Sequence, residues 1–219
     1  MASGVTDGRG EGRQTMDIAD RLTATYREVR TSGSSDTADC ALVLRRRFPR
    51  PVDTVWRAIT EPDLIRAWFA PVTGHLRVGE AFEVEGHAEG TVLECVPPHL
   101  FTVTWDDETN VVVRLASDEQ GDTVLELVHT GLPSDGAVRR GPMWDVIVAS
   151  LDRFVSGDTA DDLTTWRASA EVQVFAQHSV SAWVTATEAS GVAAADDLAD
   201  AVRTCLQRVA PDLTPPATA

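Results

Sequence analysis

The chain contains no lysine: its 19 basic residues are all arginines, set against 34 aspartates and glutamates. Without lysine, neither Schiff-base chemistry nor a phosphate-loop nucleotide site with its usual lysine can be formed. The formal net charge of −15 repels a phosphate backbone, so we expect no nucleic-acid partner.

Tyrosine and cysteine are scarce as well. Tyr26 is the single tyrosine and precedes the segment that forms the main domain, which excludes a tyrosine acid within it. Cys40, Cys95 and Cys205 are far apart and form no CxxC pair, so we expect free thiols in a reducing compartment. The sequence has neither an apolar leader nor an apolar run long enough to cross a bilayer. These features predict a cytoplasmic protein with no membrane partner.

The common catalytic and metal-binding motifs are missing. The sequence contains no GxSxG, HExxH, GxxxxGK or GxGxxG pattern, and its five histidines are scattered singly. Neither the spacing of metal ligands nor a carboxylate pair suited to acid–base catalysis is present. We therefore predict no metal site and no cofactor, and we favour a protein that is not an enzyme.

Changes in composition divide the chain into five segments. They are a disordered Gly/Arg-rich tail (1–15), a helix with a Ser/Thr/Asp linker (16–39), the main domain (40–157), a helical extension (158–211) and a second disordered tail (212–219). In the second segment, Ile18, Leu22 and Val29 share one face of the predicted helix. In the extension, apolar spacing predicts one helix ending at Gly191 and another beginning near Leu198. We expect these helices to pack on the main domain; a dimer interface is the alternative, so the protein is a monomer or a homodimer.

The order of elements in the main domain indicates its fold. A β-branched strand, CALVLRRRF, precedes two short helices whose apolar faces carry Trp56 and Trp68. Six alternating segments follow with no helix between them, which predicts an antiparallel meander; they are GHLRVG, EAFEVEG, GTVLECV, LFTVTW, NVVVRLA and DTVLELVH. An amphipathic helix from Trp144 to Val155 closes the domain, with Pro142 at its entry. The sequence predicts an α+β fold, in which a curved antiparallel sheet of about six to seven strands wraps around one long helix.

This order of elements resembles the helix-grip superfamily, also called START or SRPBCC. The closest likeness is to the branch named after the activator of heat-shock protein 90 ATPase, and it is carried by RRRFPRPVDTVWRAITEPDLIRAWF, RVGEAFEVEG, GTVLECVPPHLFTVTW, GDTVLELVHTG and the tryptophan-led last helix. The flanks are similar to those of a bacterial subgroup with a helical C-terminal tail. The resemblance implies a helix-grip domain that binds an apolar ligand between sheet and long helix, acts as a co-chaperone, or assists cyclisation of polyketides.

The helix-grip geometry also implies which side chains would line a cavity. The candidate ligand-binding residues are Trp68, Phe82, Trp105, Leu127, His129, Trp144 and Val148. A purely structural interpretation stays open for each, since tryptophans often fill cores and interior histidines often bond locally. Arg46 shares strand parity with Leu44 and Phe48, so it either points inward to a carboxylate or lies at a solvent-facing edge.

Three functions are compatible with these features. The preferred hypothesis is non-catalytic binding of a small apolar ligand, which predicts a mostly apolar cavity of at least a few hundred Å³. The first alternative is a co-chaperone-like interaction protein with a chaperone as its partner. The second alternative is an enzyme of the cyclase or hydratase kind, with His129 as its base.

Overall fold

The computed structural model describes residues 18–32, 39–106, 109–158 and 162–214. The predicted disordered tail 1–15 lies outside the described residues, as does 215–219. Residues 212–214 belong to the described part, so the predicted disorder does not begin at residue 212. They are held in place because the Asp212 carboxylate accepts a 2.7 Å hydrogen bond from Gln173 Nε2.

The described residues form eight strands, seven α-helices and two short 3-10 helices. The strands are β1 (Thr25–Ser32), β2 (Asp39–Phe48), β3 (Val72–Gly74), β4 (Ala81–Val84), β5 (Ala88–Val96), β6 (Leu100–Trp105), β7 (Thr109–Ser117) and β8 (Thr123–Leu132). The α-helices are α1 (Ile18–Thr23), α2 (Val52–Thr60), α3 (Pro62–Trp68), α4 (Gly136–Val155), α5 (Leu163–Ala168), α6 (Ala170–Ser190) and α7 (Ala199–Val209). The 3-10 helices are Ala195–Leu198 and Pro211–Leu213.

All eight strands belong to one antiparallel sheet, in the order β1-β2-β8-β7-β6-β5-β4-β3. The pairing register shifts near Ala41 in β2 and near Leu93 in β5, and such irregularities bend strands. The long helix α4 packs on the inner face of this curved sheet, and side chains from both form one apolar core. The predicted α+β helix-grip fold is confirmed, with one strand more than expected.

The additional strand is β1, where the sequence pattern predicted a helix continuing to Val29. Only Ile18–Thr23 is helical; after Ala24, the eight residues Thr25–Ser32 pair along their whole length with the edge of β2. Thr25 and Val29 are buried while Tyr26 and Arg30 are exposed, which is the alternation of a strand. The helical spacing was coincidental, because pairing with β2 satisfies backbone groups that a short exposed helix would leave to water.

Two boundaries in the main domain also differ from the prediction. The segment GHLRVG is not a strand: β3 ends at Gly74, whose φ of +85° turns the chain into a loop. The helix α4 starts six residues before Pro142, which lies inside it. A proline lacks the backbone N–H of a helix interior and therefore suggested a helix start. The preceding turn is stabilised instead by packing, since Ala137 and Val138 are fully buried.

The helical extension packs on the main domain, as the sequence predicts. The helix α6 ends at Gly191, which has a φ of +72°, and Trp183 on its buried face belongs to the main core. The ring of Trp183 lies directly over Gly141 of α4, where a Cβ would be 2.4 Å from two of its ring carbons. This close approach allows the two long helices to share a core. Leu198 and Ala201, at the start of the next helix, pack against Val138 of α4.

A buried carboxylate joins three of these elements. Asp145 of α4 accepts hydrogen bonds from Arg27 Nε at 2.8 Å and Arg27 Nη2 at 3.1 Å, both from β1. From α6 it accepts the Trp183 indole N–H at 2.9 Å and the Ser179 hydroxyl. Its side chain is fully buried, so the bidentate arginine and the two further donors replace the water that the charge has lost.

A second inward arginine connects the sheet to α4. Arg46 is buried, and its Nη2 lies 2.8 Å from the Asp152 carboxylate, while Nη1 donates to Thr25 Oγ1 at 3.1 Å. Of the two orientations that strand parity left open, the inward one is therefore observed.

Candidate ligand-binding cavity

An apolar cavity of about 100 Å³ lies between α3, the inner face of the sheet and α4. Most of its lining is buried, but Ile59, Val72, Leu76 and Val113 are only half-buried. The cavity therefore approaches the surface near these four residues, at the end of α2, at β3 with its following loop, and at β7. We call them the rim.

The structure brings six of the seven predicted site residues together around this cavity. They are Trp68, Phe82, Trp105, Leu127, Trp144 and Val148. Strand alternation explains the sheet members, because inward residues recur at every second position of β4, β6 and β8. His129 is the exception, since it is fully buried but does not line the cavity.

Aromatic rings form one wall of the cavity. Phe69 follows α3 and lies between two tryptophans, with ring centroids 5.7 Å from Trp68 and 6.2 Å from Trp105, nearly parallel to both. Trp105 in turn contacts Trp144 of α4 at 5.1 Å. Phe69 was not among the predicted site residues, although its position directly after Trp68 on the inward side of the helix was a usable signal.

One polar group in this lining is unsatisfied. Trp105 is 5% exposed, and its indole N–H is buried with no hydrogen-bond partner among the residues that the structure describes. The other two indoles of the wall are paired: Trp68 Nε1 donates to the Ala58 carbonyl oxygen at 2.9 Å, and Trp144 Nε1 donates to His129 at 3.1 Å. A buried donor left unpaired costs about 1–3 kcal/mol, so the Trp105 N–H lowers the stability of the folded protein.

His129 lies behind Trp144, on the side of the indole that faces away from the cavity, and is hydrogen-bonded to it. Its Nδ1 accepts the Trp144 indole N–H and is therefore unprotonated, which puts the proton on Nε2. Nε2 lies 2.9 Å from Thr109 Oγ1, and that hydroxyl donates to the Trp105 carbonyl oxygen. This chain of hydrogen bonds fits a neutral imidazole with both nitrogens occupied.

The electrostatics of His129 agree with that assignment. Burial, with a smaller contribution from the positive charge of Arg140, lowers the pKa of His129 from 6.5 to about 4. The imidazole is thus neutral at pH 7, and protonating it would break the hydrogen bond from Trp144. A role as catalytic base is not favoured, because the nitrogen that lacks a proton already accepts the indole.

The cavity is smaller than the few hundred Å³ that the sequence-based hypothesis predicts. Pockets for drug-sized ligands usually span about 300–1,000 Å³, while a dry apolar cavity of about 150 Å³ binds benzene. The difference comes from the large aromatic side chains, since the indoles and Phe69 occupy much of the space between sheet and helix. Only a compact apolar body fits the space as it stands.

The described ranges of the chain contain neither a cluster of metal-ligating side chains nor a helix able to span a membrane. There, no three His, Cys, Asp or Glu side chains come together in a way that could hold a metal ion. Among the same residues, none of the helices combines the length and the apolar character that crossing a bilayer requires.

Comparison with known proteins agrees with this architecture. Residues 49–156, just under half of the chain, match the family described as Activator of Hsp90 ATPase homolog 1-like protein. The crystal structure of CalU16 from Micromonospora echinospora is similar, with 28% identity, a TM-score of 0.63, and coverage of 75% of this chain and 99% of CalU16. The solution structure of CalU16 gives a TM-score of 0.66 at the same 28% identity, over 76% of this chain and 97% of CalU16.

A more distant structure shares the fold alone. The conserved protein of unknown function EF2215 from Enterococcus faecalis is 16% identical, with a TM-score of 0.57, and the match covers 77% of this chain and 95% of that one. No curated protein matches the sequence. The family match, the eight-stranded sheet and the helix across it lead to one conclusion: the chain contains a helix-grip domain, whose residues 49–156 match the Activator of Hsp90 ATPase homolog 1-like family.

Proposed function

We propose that the protein binds a small apolar ligand, without catalysis, in the cavity between the sheet and α4, and that the ligand offers one hydrogen-bond acceptor to Trp105. The observation that carries this proposal is the unpaired Trp105 indole N–H in an otherwise apolar lining. A carbonyl or ether oxygen on the ligand would satisfy that donor and remove its cost. Apolar walls with a single orienting polar group are typical of small-molecule sites.

The size of the cavity limits the ligand. A volume of about 100 Å³ accommodates a single small ring or a short branched chain. A longer ligand would have to displace the rim, of which Val72 and Leu76 belong to the short edge strand β3 and its loop. Displacing an edge strand of three residues requires less free energy than displacing a strand at the centre of the sheet.

Binding is preferred to the two alternative functions for physical reasons. A cyclase or hydratase would need His129 to take a proton from the ligand, yet His129 lies behind Trp144 with both nitrogens hydrogen-bonded. A co-chaperone role has only the family description in its favour, and a shared fold does not by itself transfer a function. By contrast, the apolar cavity and the unpaired Trp105 N–H both favour binding of a small apolar molecule that carries one hydrogen-bond acceptor.

The proposal can be tested with a matched pair of small probes. Cyclopentanone and methylenecyclopentane have nearly the same shape, but only the ketone can accept a hydrogen bond. We expect both to bind, the ketone more tightly, and the ketone to move the Trp105 indole N–H signal further downfield than the alkene in a ¹H–¹⁵N NMR titration. If neither compound binds, the proposal is wrong.

A cavity-filling substitution provides the control for location. Val148→Phe places a ring in the cavity, and we expect it to weaken binding of both probes by at least about tenfold. The matched control is Val112→Phe, because Val112 lies on the opposite face of the sheet, in a cluster with Val128. That variant should bind as the native protein does. Equal affinities of the native protein and Val148→Phe would contradict the assignment of the site.

A further inference from the structure

A second concave region lies between the main domain and the helical extension. It is a cleft of about 690 Å³, in which the end of α3 and the β4–β5 turn face α5 and the end of α7. Arg66, Arg167, Arg208 and His87 all contribute to its lining. The lining also includes the carboxylates Glu85, Asp162 and Asp212, so the cleft carries charges of both signs.

Arg167 is the most constrained of these groups. It is half-buried, its Nη2 donates to the Trp68 carbonyl oxygen at 3.2 Å, and its Nε is buried without a hydrogen-bond partner. Within the described ranges no carboxylate forms an ion pair with it, since burial is the only influence on its ionisation. Burial alone lowers the pKa of Arg167, which agrees with a cation that has lost water and gained no counter-charge.

Other inward arginines of the protein are arranged differently. Arg27 is held by Asp145 and Arg46 by Asp152, each at 2.8 Å. Burying a guanidinium beside a carboxylate is the usual arrangement, because the partner offsets the loss of hydration. Among the described residues, half-buried Arg167 therefore differs from Arg27 and Arg46 in having no carboxylate partner.

Three carboxylates line the cleft, and none forms an ion pair with Arg167: Glu85 is exposed on the β4–β5 turn, while Asp162 and Asp212 are bound to other groups. Asp162 caps α5 and accepts the backbone N–H groups of Thr164 and Thr165, both at 3.0 Å. Asp212 accepts Gln173 Nε2 at 2.7 Å. Both acidic side chains of the extension are thus engaged with groups other than Arg167.

The cleft and the apolar cavity share one wall. Phe69 lines both spaces, and on the cleft side the Arg167 guanidinium carbon lies 5.9 Å from the centre of its ring. His87 lies against the same ring, with centroids 4.5 Å apart. The Phe69 ring therefore lies between the apolar cavity and the Arg167 guanidinium.

We propose that the ligand of the cavity is an apolar carboxylate, whose hydrocarbon body fills the cavity and whose carboxylate reaches Arg167 past a displaced Phe69 ring. The planar guanidinium suits a carboxylate because it can offer two parallel N–H donors, including the unpaired Nε. This inference depends on the proposed binding function and specifies its ligand class.

The test compares two probes that differ only in charge. 3-Cyclopentylpropanoate and its neutral amide share the ring and the linker, and their affinities are measured by calorimetry. We expect the native protein to prefer the carboxylate by at least about tenfold. In Arg167→Gln this preference should disappear while the amide still binds. Arg77→Gln, which removes an exposed arginine outside the cleft, should keep the native preference.

The outcomes separate this inference from the proposed function. If the amide binds but the carboxylate is not preferred, or the preference survives in Arg167→Gln, the inference is wrong and cavity binding stands. If neither probe binds, both proposals fail. A measurement on the native protein covers the case of a misfolded variant: the Arg167 Nε–H NMR signal should shift with the carboxylate and not with the amide.

The route past Phe69 has its own test. Phe69→Ala removes the shared wall, so the carboxylate probe should associate at least about tenfold faster in stopped-flow measurements. An association rate equal to that of the native protein would contradict a route through this side chain.

Discussion

Trp183 and Gly141 are in direct contact: the indole ring lies where any side chain at position 141 would have to be. In an ordinary helix interior, replacing glycine by alanine stabilises the fold by about 1 kcal/mol. At this position the new Cβ would lie 2.4 Å from ring carbons of a fully buried tryptophan, so the helices α4 and α6 would be forced apart.

We therefore expect Gly141→Ala to destabilise the protein by about 1–3 kcal/mol, as measured by urea unfolding. Helix propensity alone predicts the opposite result, an increase in stability. The measured change in unfolding free energy therefore distinguishes the clash from the propensity effect. In a Trp183→Ala background the clash is absent, and the same substitution should be neutral or stabilising. A destabilisation of equal size in both backgrounds would show that Trp183 is not its cause.

Asp145→Asn should be strongly destabilising. The substitution removes the charge that compensates buried Arg27, and removal of one partner of a buried pair costs about 3–5 kcal/mol. Asp63→Asn is the control, since Asp63 and Arg66 form a 3.7 Å pair on the surface and should change stability by less than about 1 kcal/mol. Similar unfolding free energies for the two variants would contradict the importance of the buried network.

The stability of the protein should decrease in acid because of His129. Its pKa is about 4 in the folded state and 6.5 when exposed, so the unfolded state binds more protons between these values. Folding therefore loses about 3 kcal/mol from this group as the pH falls from 6.5 towards 4.

His129→Gln isolates that contribution, because glutamine can keep both hydrogen bonds but does not titrate. We expect the native protein to lose more stability than His129→Gln between pH 7 and pH 4, by about 3 kcal/mol. If the unfolding free energies of the two proteins, measured by chemical denaturation, change with pH in parallel, the assignment of a neutral, buried imidazole is wrong.

Two tryptophans of the cavity wall should respond differently to the same truncation. Trp144→Phe leaves His129 Nδ1 without its donor, whereas Trp105→Phe removes an N–H that has no partner. We expect Trp144→Phe to cost about 1–3 kcal/mol more in unfolding free energy than Trp105→Phe. Equal costs would mean that the hydrogen bond to His129 contributes little.

The sequence predicts the core elements well because their periodicity is strong. The stripes of α2, α3 and α6, and the alternation of β6 and β8, reappear as buried faces in the structure. The strand β1 was misassigned because it is an edge strand with charged residues, and its identity depends on pairing with β2. The start of α4 was misplaced because packing overrides the signal of Pro142.

The candidate site was predictable only in part. Strand parity places Trp105 and Leu127 on the inner face, but it cannot tell that Trp144 stands between His129 and the cavity. The cavity volume depends on how large aromatic side chains pack, which no local pattern encodes. The environment of Arg167 was not predictable either, because its hydrogen bond goes to the carbonyl oxygen of Trp68, 99 positions earlier in the chain.

The Asp145 network also bears on what counts as the folding unit of this protein. Arg27 comes from near the start of the described chain and Trp183 from near its end, and both meet a carboxylate in the middle of α4. A fragment restricted to 49–156 would lose both of these partners together with the elements β1 and α6, which cover the Asp145 carboxylate. The flanking elements β1 and α6 therefore belong to the same folding unit as the helix-grip domain. This unit is longer than the segment 49–156 that matches the family.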